Sequence, residues 1–462
     1  MKMILSRSGY KKTEQKDRAT SEAFVSIVPP MFILYGGNPA LKGGVFQKNG
    51  WGGVRIPSPT NTIPGLKAWV FKFFFFCAFL VGPLYAKPLQ IDLHAKSAIM
   101  MNLDTGAILF EKNANSAAFP ASITKIATAL YVLEVMHADL AKIVTVSAES
   151  IKMKPPKKNG SSVPAYWLDI DGTRMGLVKG EEISIESLLH GLMLVSGNDA
   201  ANVLAESMSG SVPAFVNDLN QYLLSIGCRD THFSNPHGLH HSEHKTTAYD
   251  MCQIARKAMG NTKFREIVSK LNYIKPATNK NSEEHLRQFN HLLRPGRFFY
   301  SNAIGIKTGY TSLAQNTLVA AAEHEGRILV AVLLGCEKKG DRYEDAKSLF
   351  ETAFAEQKIH RTFFSGNEIY SRSIEGAANN LQALLTHELA IDYYPAEEPE
   401  NIKAQICWKI SQRSIQKGAV VGEMRLIDAK GNTIQSQPLV AKEEVKSTFM
   451  YMLKDRWDRF FH

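Results

Sequence analysis

The chain has 462 residues, room for two or three domains and a sizeable core, with 45% apolar and 21% charged residues as in an ordinary globular protein. Its net charge of +10 raises nucleic acid or an acidic membrane surface as a partner, but residues 1–86 carry eleven Lys/Arg against three Asp/Glu, which leaves about +2 for the rest. No Lys/Arg cluster interleaved with aromatics stands out in the remainder, so nucleic acid is excluded.

Residues 1–65 hold Gly, Pro, Ser and Asn throughout with no sustained periodicity, and read as a disordered or non-native extension. Residues 66–86, with Lys67 and Lys72 before an apolar run from Phe73 to Leu84, read as a signal peptide cleaved after Ala86. The apolar run is short for a membrane span. An uncleaved N-terminal anchor is the alternative, kept open by Leu84, which is larger than the residue usual three positions before a cut. Five cysteines are scattered with no C-x-x-C pair, and Cys228, Cys252, Cys336 and Cys407 are expected as free thiols.

Residues 87–358 alternate α and β patterns. Two apolar runs around Asp104-Thr105-Gly106 predict a hairpin. After Pro120, Ile126, Ala129, Leu130, Leu133 and Met136 form a helical stripe. The Pro- and Gly-containing run 154–160 is a loop. Leu188, Leu189, Leu192 and Val195 share one helical face, Gly197 breaks the run, and Ala200, Val203 and Leu204 resume it. Ile304, Ile306 and Thr308 alternate with Gly305, Lys307 and Gly309 as in a strand, and two further strand-like runs flank Glu325-Gly326. Residues 418–441 alternate apolar and polar around a turn at Lys430-Gly431-Asn432, which predicts a small β domain over 359–446. In residues 447–462, Phe449, Leu453, Trp457, Phe460 and Phe461 fall at helical spacing opposite charged residues. That is an amphipathic helix, lying on a membrane or docked on its own domain.

Three short stretches carry chemistry. Ser122 and Lys125, at i and i+3, share a helix face. A serine hydroxyl is a poor nucleophile until a base takes its proton, and a lysine is a base only when burial, a neighbouring cation or a helix N-terminus has lowered its pKa. Ser196 and Asn198 flank Gly197 at a break between helices, where a hydroxyl can relay a proton and an amide can hold both lysine and substrate; a helix cap is the bland alternative. Lys307 supplies a second cation, Thr308 a hydroxyl for a carboxylate, and Gly309 room for a substrate backbone. The N–H groups of Ser122 and Tyr310 are candidates for an oxyanion hole.

Each stretch alone is a common chance match. Together, S-x-x-K, S-G-N and K-T-G in this order resemble the signature of penicillin-binding proteins and β-lactamases, with Asn198 in the middle motif. The chain resembles the serine D-alanyl-D-alanine carboxypeptidases, the low-molecular-mass penicillin-binding proteins. The likeness covers about residues 90–448, including "FPASITKIATAL", "LMLVSGNDAANVLA", "THFSNPHGL", "TTAYDM" and "GIKTGYT". The resemblance implies an α/β (α+β) serine β-lactamase/transpeptidase-like domain with an antiparallel sheet and helical cluster, followed by a small all-β domain and an amphipathic membrane helix. It implies that Lys125 deprotonates Ser122, which attacks the bond between two D-alanines of a peptidoglycan stem pentapeptide. Ser196 then passes a proton to the leaving D-alanine, and water cleaves the acyl-enzyme. Lys307, Thr308, Gly309, Tyr310 and Arg342 would bind substrate, with Arg342 a candidate for the terminal carboxylate. β-Lactams would be covalent inhibitors, no metal or organic cofactor is needed, and the protein would be exported to the periplasm or the outer face of the cytoplasmic membrane. Residues 151–175 look longer than in the family.

Three rivals remain. A β-lactamase shares the motifs, but Glu243, Glu266, Glu283 and Glu284 between the second and third motifs lack the E-x-x-L-N context that would activate a deacylating water, so slow deacylation is expected. A zinc peptidase is suggested by His232, His237, His240, His241 and His244, yet H-E-x-x-H needs Glu directly after the first His, and Pro236 and Gly238 argue for a loop. A non-enzymatic wall-binding protein is opposed by the intact motifs. Sequence does not separate carboxypeptidase from DD-endopeptidase.

Overall fold

The computed structural model describes residues 22–25, 88–155, 163–399, 401–410, 414–453 and 457. The leader reading at 66–86, residues 156–160 of the predicted loop and Phe460–Phe461 lie outside the described residues. The chain divides into two compact units. One holds Ala86–Ile359 and Tyr393–Glu398; the other holds His360–Asp392 and the residues from Pro399 onward, together with the N-terminal segment.

Of the first 87 residues only Glu22–Val25 (β1) is described, as a strand beside the later strand Lys403–Trp408. The larger unit then opens with the expected hairpin, Ser97–Asn102 (β2) and Ile108–Lys112 (β3). Asn102 Oδ1 accepts from the N–H groups of Asp104 and Thr105, and Gly106 takes φ +75° in the turn, a conformation glycine adopts without cost. A 3-10 turn, Ala121–Thr124, runs straight into Lys125–Leu130 (α1). A short pair follows, Ile143–Thr145 (β4) and Glu182–Ser184 (β5), then Ile185–Leu194 (α2), Asn198–Ser209 (α3), Val212–Ser225 (α4), Ala248–Met259 (α5) and Thr262–Ser269 (α6). The helix starts follow from their caps: Ser184, Ser211, Thr247 and Asn261 each accept from a backbone N–H three residues on.

A hairpin of Asn272–Lys275 (β6) and Glu284–Arg287 (β7) precedes three long strands, Ala303–Thr311 (β8), Gln315–His324 (β9) and Arg327–Cys336 (β10), and the helix Asp341–Phe354 (α7). The main sheet is antiparallel in order β3-β2-β10-β9-β8. Its central strands are apolar on both faces because both are covered. Val319, Ala321, Val330 and Val332 face the core shared with α1 to α6, while Leu318, Ala320, Leu329, Ala331 and Leu333 face α7 through Tyr343, Leu349 and Phe350. Strand β8 is therefore an edge strand whose K-T-G segment lies beside the turn that starts α1.

The smaller unit is all β: Ile359–Phe364 (β11) pairs with Leu389–Tyr393 (β14), and Ile369–Arg372 (β12), Leu381–Leu385 (β13), Lys403–Trp408 (β15), Val420–Ile427 (β16) and Thr433–Ala441 (β17) join β1 in one sheet of order β1-β15-β16-β17-β13-β12. The turn at 428–432 is closed by Asp428, which accepts from the Lys430 and Asn432 N–H groups. Phe449, Met450, Met452 and Leu453 of the terminal segment are exposed. The short return Tyr393–Glu398 belongs to the larger unit, where Glu397 pairs with the buried Arg327 at 2.6 Å; no periodicity signalled this.

Candidate active site

The turn that carries Ser122 is forced into shape from two sides. Ala121 holds φ +53°, an unusual conformation for a residue with a Cβ. Gly238, at φ +94°, packs so closely that a Cβ there would stand 1.9 Å from the Ala121 carbonyl oxygen. On the other side a Cβ at Gly309 would stand 2.9 Å from the Ser122 nitrogen. Both positions need glycine, and together they leave the Ser122 N–H against bare backbone.

Lys125 is fully buried one turn on. Its Nζ lies 3.1 Å from Ser122 Oγ, 2.7 Å from Asn198 Oδ1 and 2.6 Å from the His237 carbonyl oxygen. The last two oxygens only accept. As an ammonium Nζ donates to all three oxygens; once uncharged it keeps two hydrogens for Asn198 and His237, and its lone pair is then left for the Ser122 hydroxyl. Electrostatics favour this form: burial pushes the Lys125 ammonium well below the ordinary lysine range, the Lys307 charge pushes the same way, and Asp199 opposes them.

Asn198 reaches Lys125 because the run of α2 stops at Val195 and α3 restarts at Asn198. Ser196 is buried at the break with φ +62°. Its carbonyl accepts from Thr173 Oγ1 at 2.7 Å, and the Asn198 N–H donates to the Thr173 carbonyl at 2.9 Å. Asp199 pins the same segment by accepting from the N–H groups of Met175, Gly176 and Leu177. Burial raises the pKa of its carboxyl, against those donors.

On β8, Lys307 is buried and donates to the Thr308 carbonyl at 2.8 Å. Burial, helped by the Arg342 charge, lowers its pKa to about 7. Tyr310 is 64% exposed and stands at the rim. The structure thus brings S-x-x-K, S-G-N and K-T-G together: Lys125 contacts both Ser122 and Asn198, and Gly309 backs the Ser122 nitrogen.

The same chain matches known proteins over most of its length. Residues 85–338 fit the profile of the D-alanyl-D-alanine carboxypeptidase family, and residues 360–447 that of the penicillin-binding protein 5 C-terminal domain. The chain belongs to the D-alanyl-D-alanine carboxypeptidase family. It is 28% identical to D-alanyl-D-alanine carboxypeptidase DacF of Bacillus subtilis over 80% of this chain and 92% of that protein. It is 29% identical to DacA of Escherichia coli K12 over 81% and 89%. Among solved structures, penicillin-binding protein 5 of Haemophilus influenzae aligns with TM-score 0.54 at 25% identity, covering 78% of this chain and all of that one. The Streptomyces K15 DD-transpeptidase aligns with TM-score 0.51 at 30% identity, covering 58% and 99%. The mixed catalytic domain followed by an all-β domain is the arrangement expected from sequence.

Arg342, the candidate for the terminal carboxylate, lies against the K-T-G strand. Its guanidinium is buried, with Nη1 donating to the carbonyls of Gly309 (2.7 Å) and Thr317 (3.0 Å) and Nη2 to the Tyr343 hydroxyl (3.1 Å). Buried carbonyls demand donors, so the side chain is drawn under the strand and braces the K-T-G backbone from behind. Glu243, Glu266, Glu283 and Glu284 are all exposed. The histidine-rich loop is structural: the His237 carbonyl holds Lys125, its ring lies 3.1 Å from the Tyr166 carbonyl, and His244 contacts Thr124. Among the described residues no group of three His, Cys, Asp or Glu side chains could hold a metal ion. The parts that sequence reasoning missed are the backbone oxygen of His237, the glycine at 238 and the Asp199 tether. Only Gly238, inside "NPHGL", left a signal, as a glycine next to a proline turn.

Proposed function

We propose that the chain is a serine-type D-Ala-D-Ala carboxypeptidase that removes the terminal D-alanine from peptidoglycan stem pentapeptides through an acyl-enzyme. The observation that carries this reading is the buried Lys125 Nζ within hydrogen-bond reach of Ser122 Oγ, Asn198 Oδ1 and the His237 carbonyl, in surroundings that lower its pKa. Ser122 attacks the carbonyl between the two D-alanines as its proton passes to Lys125 Nζ. The N–H groups of Ser122 and Tyr310 receive the developing oxyanion. Ser196 hands a proton to the leaving amine as the C–N bond breaks and takes the one held by Lys125 Nζ in its place, and water then releases the acyl group. The peptide adds along the free edge of β8, with its terminal carboxylate at Thr308 in the positive field of Lys307 and of the Arg342 guanidinium behind the strand.

The exposure of all four candidate glutamates supports slow rather than fast turnover of β-lactams, and hence their action as covalent inhibitors over a β-lactamase reading. The reading places the protein outside the cytoplasmic membrane, with the apolar residues of 447–462 on the membrane surface. Among the described residues no helix is long and apolar enough to cross a membrane. Incubation with a fluorescent penicillin and a pentapeptide ending in D-Ala-D-Ala tests the proposal. The native protein is expected to be labelled and to release D-alanine, and Ser122→Ala to do neither. Release of D-alanine by Ser122→Ala, or turnover of benzylpenicillin within seconds, would overturn it.

A further inference from the structure

Segment 232–244 holds five histidines whose side chains the acyl-transfer scheme does not use. One of them, His244, is buried against the nucleophile turn. Its ring stacks on Phe233 with centroids 4.9 Å apart. Nδ1 accepts from the Ser234 N–H at 3.0 Å, so it carries no proton. Nε2 lies 2.8 Å from Thr124 Oγ1. Thr124, itself fully buried, spends its one hydroxyl hydrogen on the Ala121 carbonyl, 3.0 Å away. The hydroxyl must therefore accept from His244, and the tautomer is fixed as Nε2–H. Burial lowers the His244 pKa to about 3, so the ring is neutral.

The result is a one-way chain of hydrogen bonds: Ser234 N–H to His244, His244 Nε2–H to Thr124, and Thr124 O–H to the Ala121 oxygen. Bonds that point one way polarise each other. The last acceptor is the carbonyl of the Ala121–Ser122 peptide, whose N–H is the Ser122 half of the oxyanion hole. A peptide whose oxygen accepts a strong hydrogen bond is a stronger donor at its nitrogen, and the same bond holds Ala121 in its left-handed conformation. We propose that His244 and Thr124 are positioning residues for acyl transfer, a relay that fixes and polarises the Ala121–Ser122 peptide so that its N–H is aimed at the oxyanion. The inference rests on Ser122 being the nucleophile, as proposed above.

Thr124→Val keeps the shape and removes the hydroxyl; Thr124→Ser returns it. The readouts are the acylation rate with benzylpenicillin, the dissociation constant before acylation, and the infrared stretch of the acyl-enzyme ester carbonyl. Deleting an oxyanion donor outright costs 10²–10³ in rate, so weakening one is expected to slow acylation roughly tenfold in Thr124→Val. The pre-acylation constant should not change, and the carbonyl stretch should move to higher frequency. Thr124→Ser should restore both. A purely structural role would not move the carbonyl band of a protein that melts like wild type. A folded Thr124→Val with wild-type acylation and an unshifted band overturns the relay while leaving penicillin labelling of the native protein intact. A native protein that penicillin does not label overturns the underlying functional reading and the relay with it. Should Thr124→Val fail to fold, the ¹⁵N spectrum of the histidine-labelled native protein decides: a neutral Nε2–H tautomer at His244 supports the relay, and an Nδ1–H tautomer or an imidazolium overturns it.

Discussion

Two lysines are buried in the same domain in opposite surroundings. Lys275 lies 3.9 Å from Glu181, with both side chains almost fully buried. Glu181 is further satisfied by Thr278, Asn281 and the Val178 N–H. Lys125 has a hydroxyl, an amide oxygen and a peptide carbonyl instead, and a second lysine in its field. A buried lysine that serves the fold is given a carboxylate; one that serves as a base is denied it. The contrast breaks first at its poles. Lys125→Ala is expected to cut penicillin acylation by about 10³-fold or more, since the nucleophile loses its base, with little change in melting temperature. Lys275→Met is expected to leave acylation within a few-fold and to cost about 3–5 kcal/mol of stability by stranding Glu181, read by denaturant unfolding. Equal losses of activity in the two variants would erase the distinction.

The Lys125 side of that contrast was legible in the sequence, and the reason is local; the Lys275–Glu181 pair was not. The three motifs sit where secondary structure changes, at a helix start, a helix break and an edge strand, and apolar periodicity marks such places directly. What stayed hidden is whatever acts through backbone atoms or across long sequence separation. The carbonyl of His237 meets Lys125 from 112 residues away, and no side-chain pattern announces a carbonyl. Arg342 was visible as a cation near the third motif, but whether it faces substrate or the underside of β8 depends on which carbonyls lack donors, which only the folded strand shows.

Lys307 sharpens the comparison from the other side, because it too is buried, with a pKa lowered to about 7. Lys307→Met is expected to weaken turnover of the pentapeptide by about 10²-fold, chiefly in kcat/KM, through loss of the charge that meets the terminal carboxylate. Removing a buried cation that no carboxylate offsets should also raise the melting temperature by a few degrees, roughly 1 kcal/mol. In the native protein the Lys307 ammonium is present below about pH 7 and lost above it. Affinity for the carboxylate is therefore expected to fall as pH rises through that value. A flat pH dependence of KM between 6 and 8.5 would remove Lys307 from carboxylate binding.

Gly238→Ala tests the nucleophile turn at one contact. A Cβ would collide with the Ala121 oxygen and would also sit at φ +94°, so the turn must open. We expect a loss of about 2 kcal/mol of stability and a tenfold or greater loss of acylation, measured on protein that still melts cooperatively.

Asp199→Asn has the smallest expected effect and the clearest sign. Its carboxylate opposes the lowering of the Lys125 pKa, whereas the Lys307 charge promotes it. Lys125 works as a base only when unprotonated, so acylation falls as pH drops through its pKa. Removing the anion lowers that pKa further, and the acid limb of the acylation profile should move to lower pH by a fraction of a unit. Lys307→Met removes a cation, and its limb should move to higher pH. The carboxamide also turns an N–H toward one of the Met175, Gly176 and Leu177 donors, so a modest drop in melting temperature accompanies the shift. A purely structural lesion would lower the whole profile without moving its limb. Opposite displacements in the two variants, measured with one β-lactam at one ionic strength, are what an uncharged Lys125 poised between a cation and an anion requires.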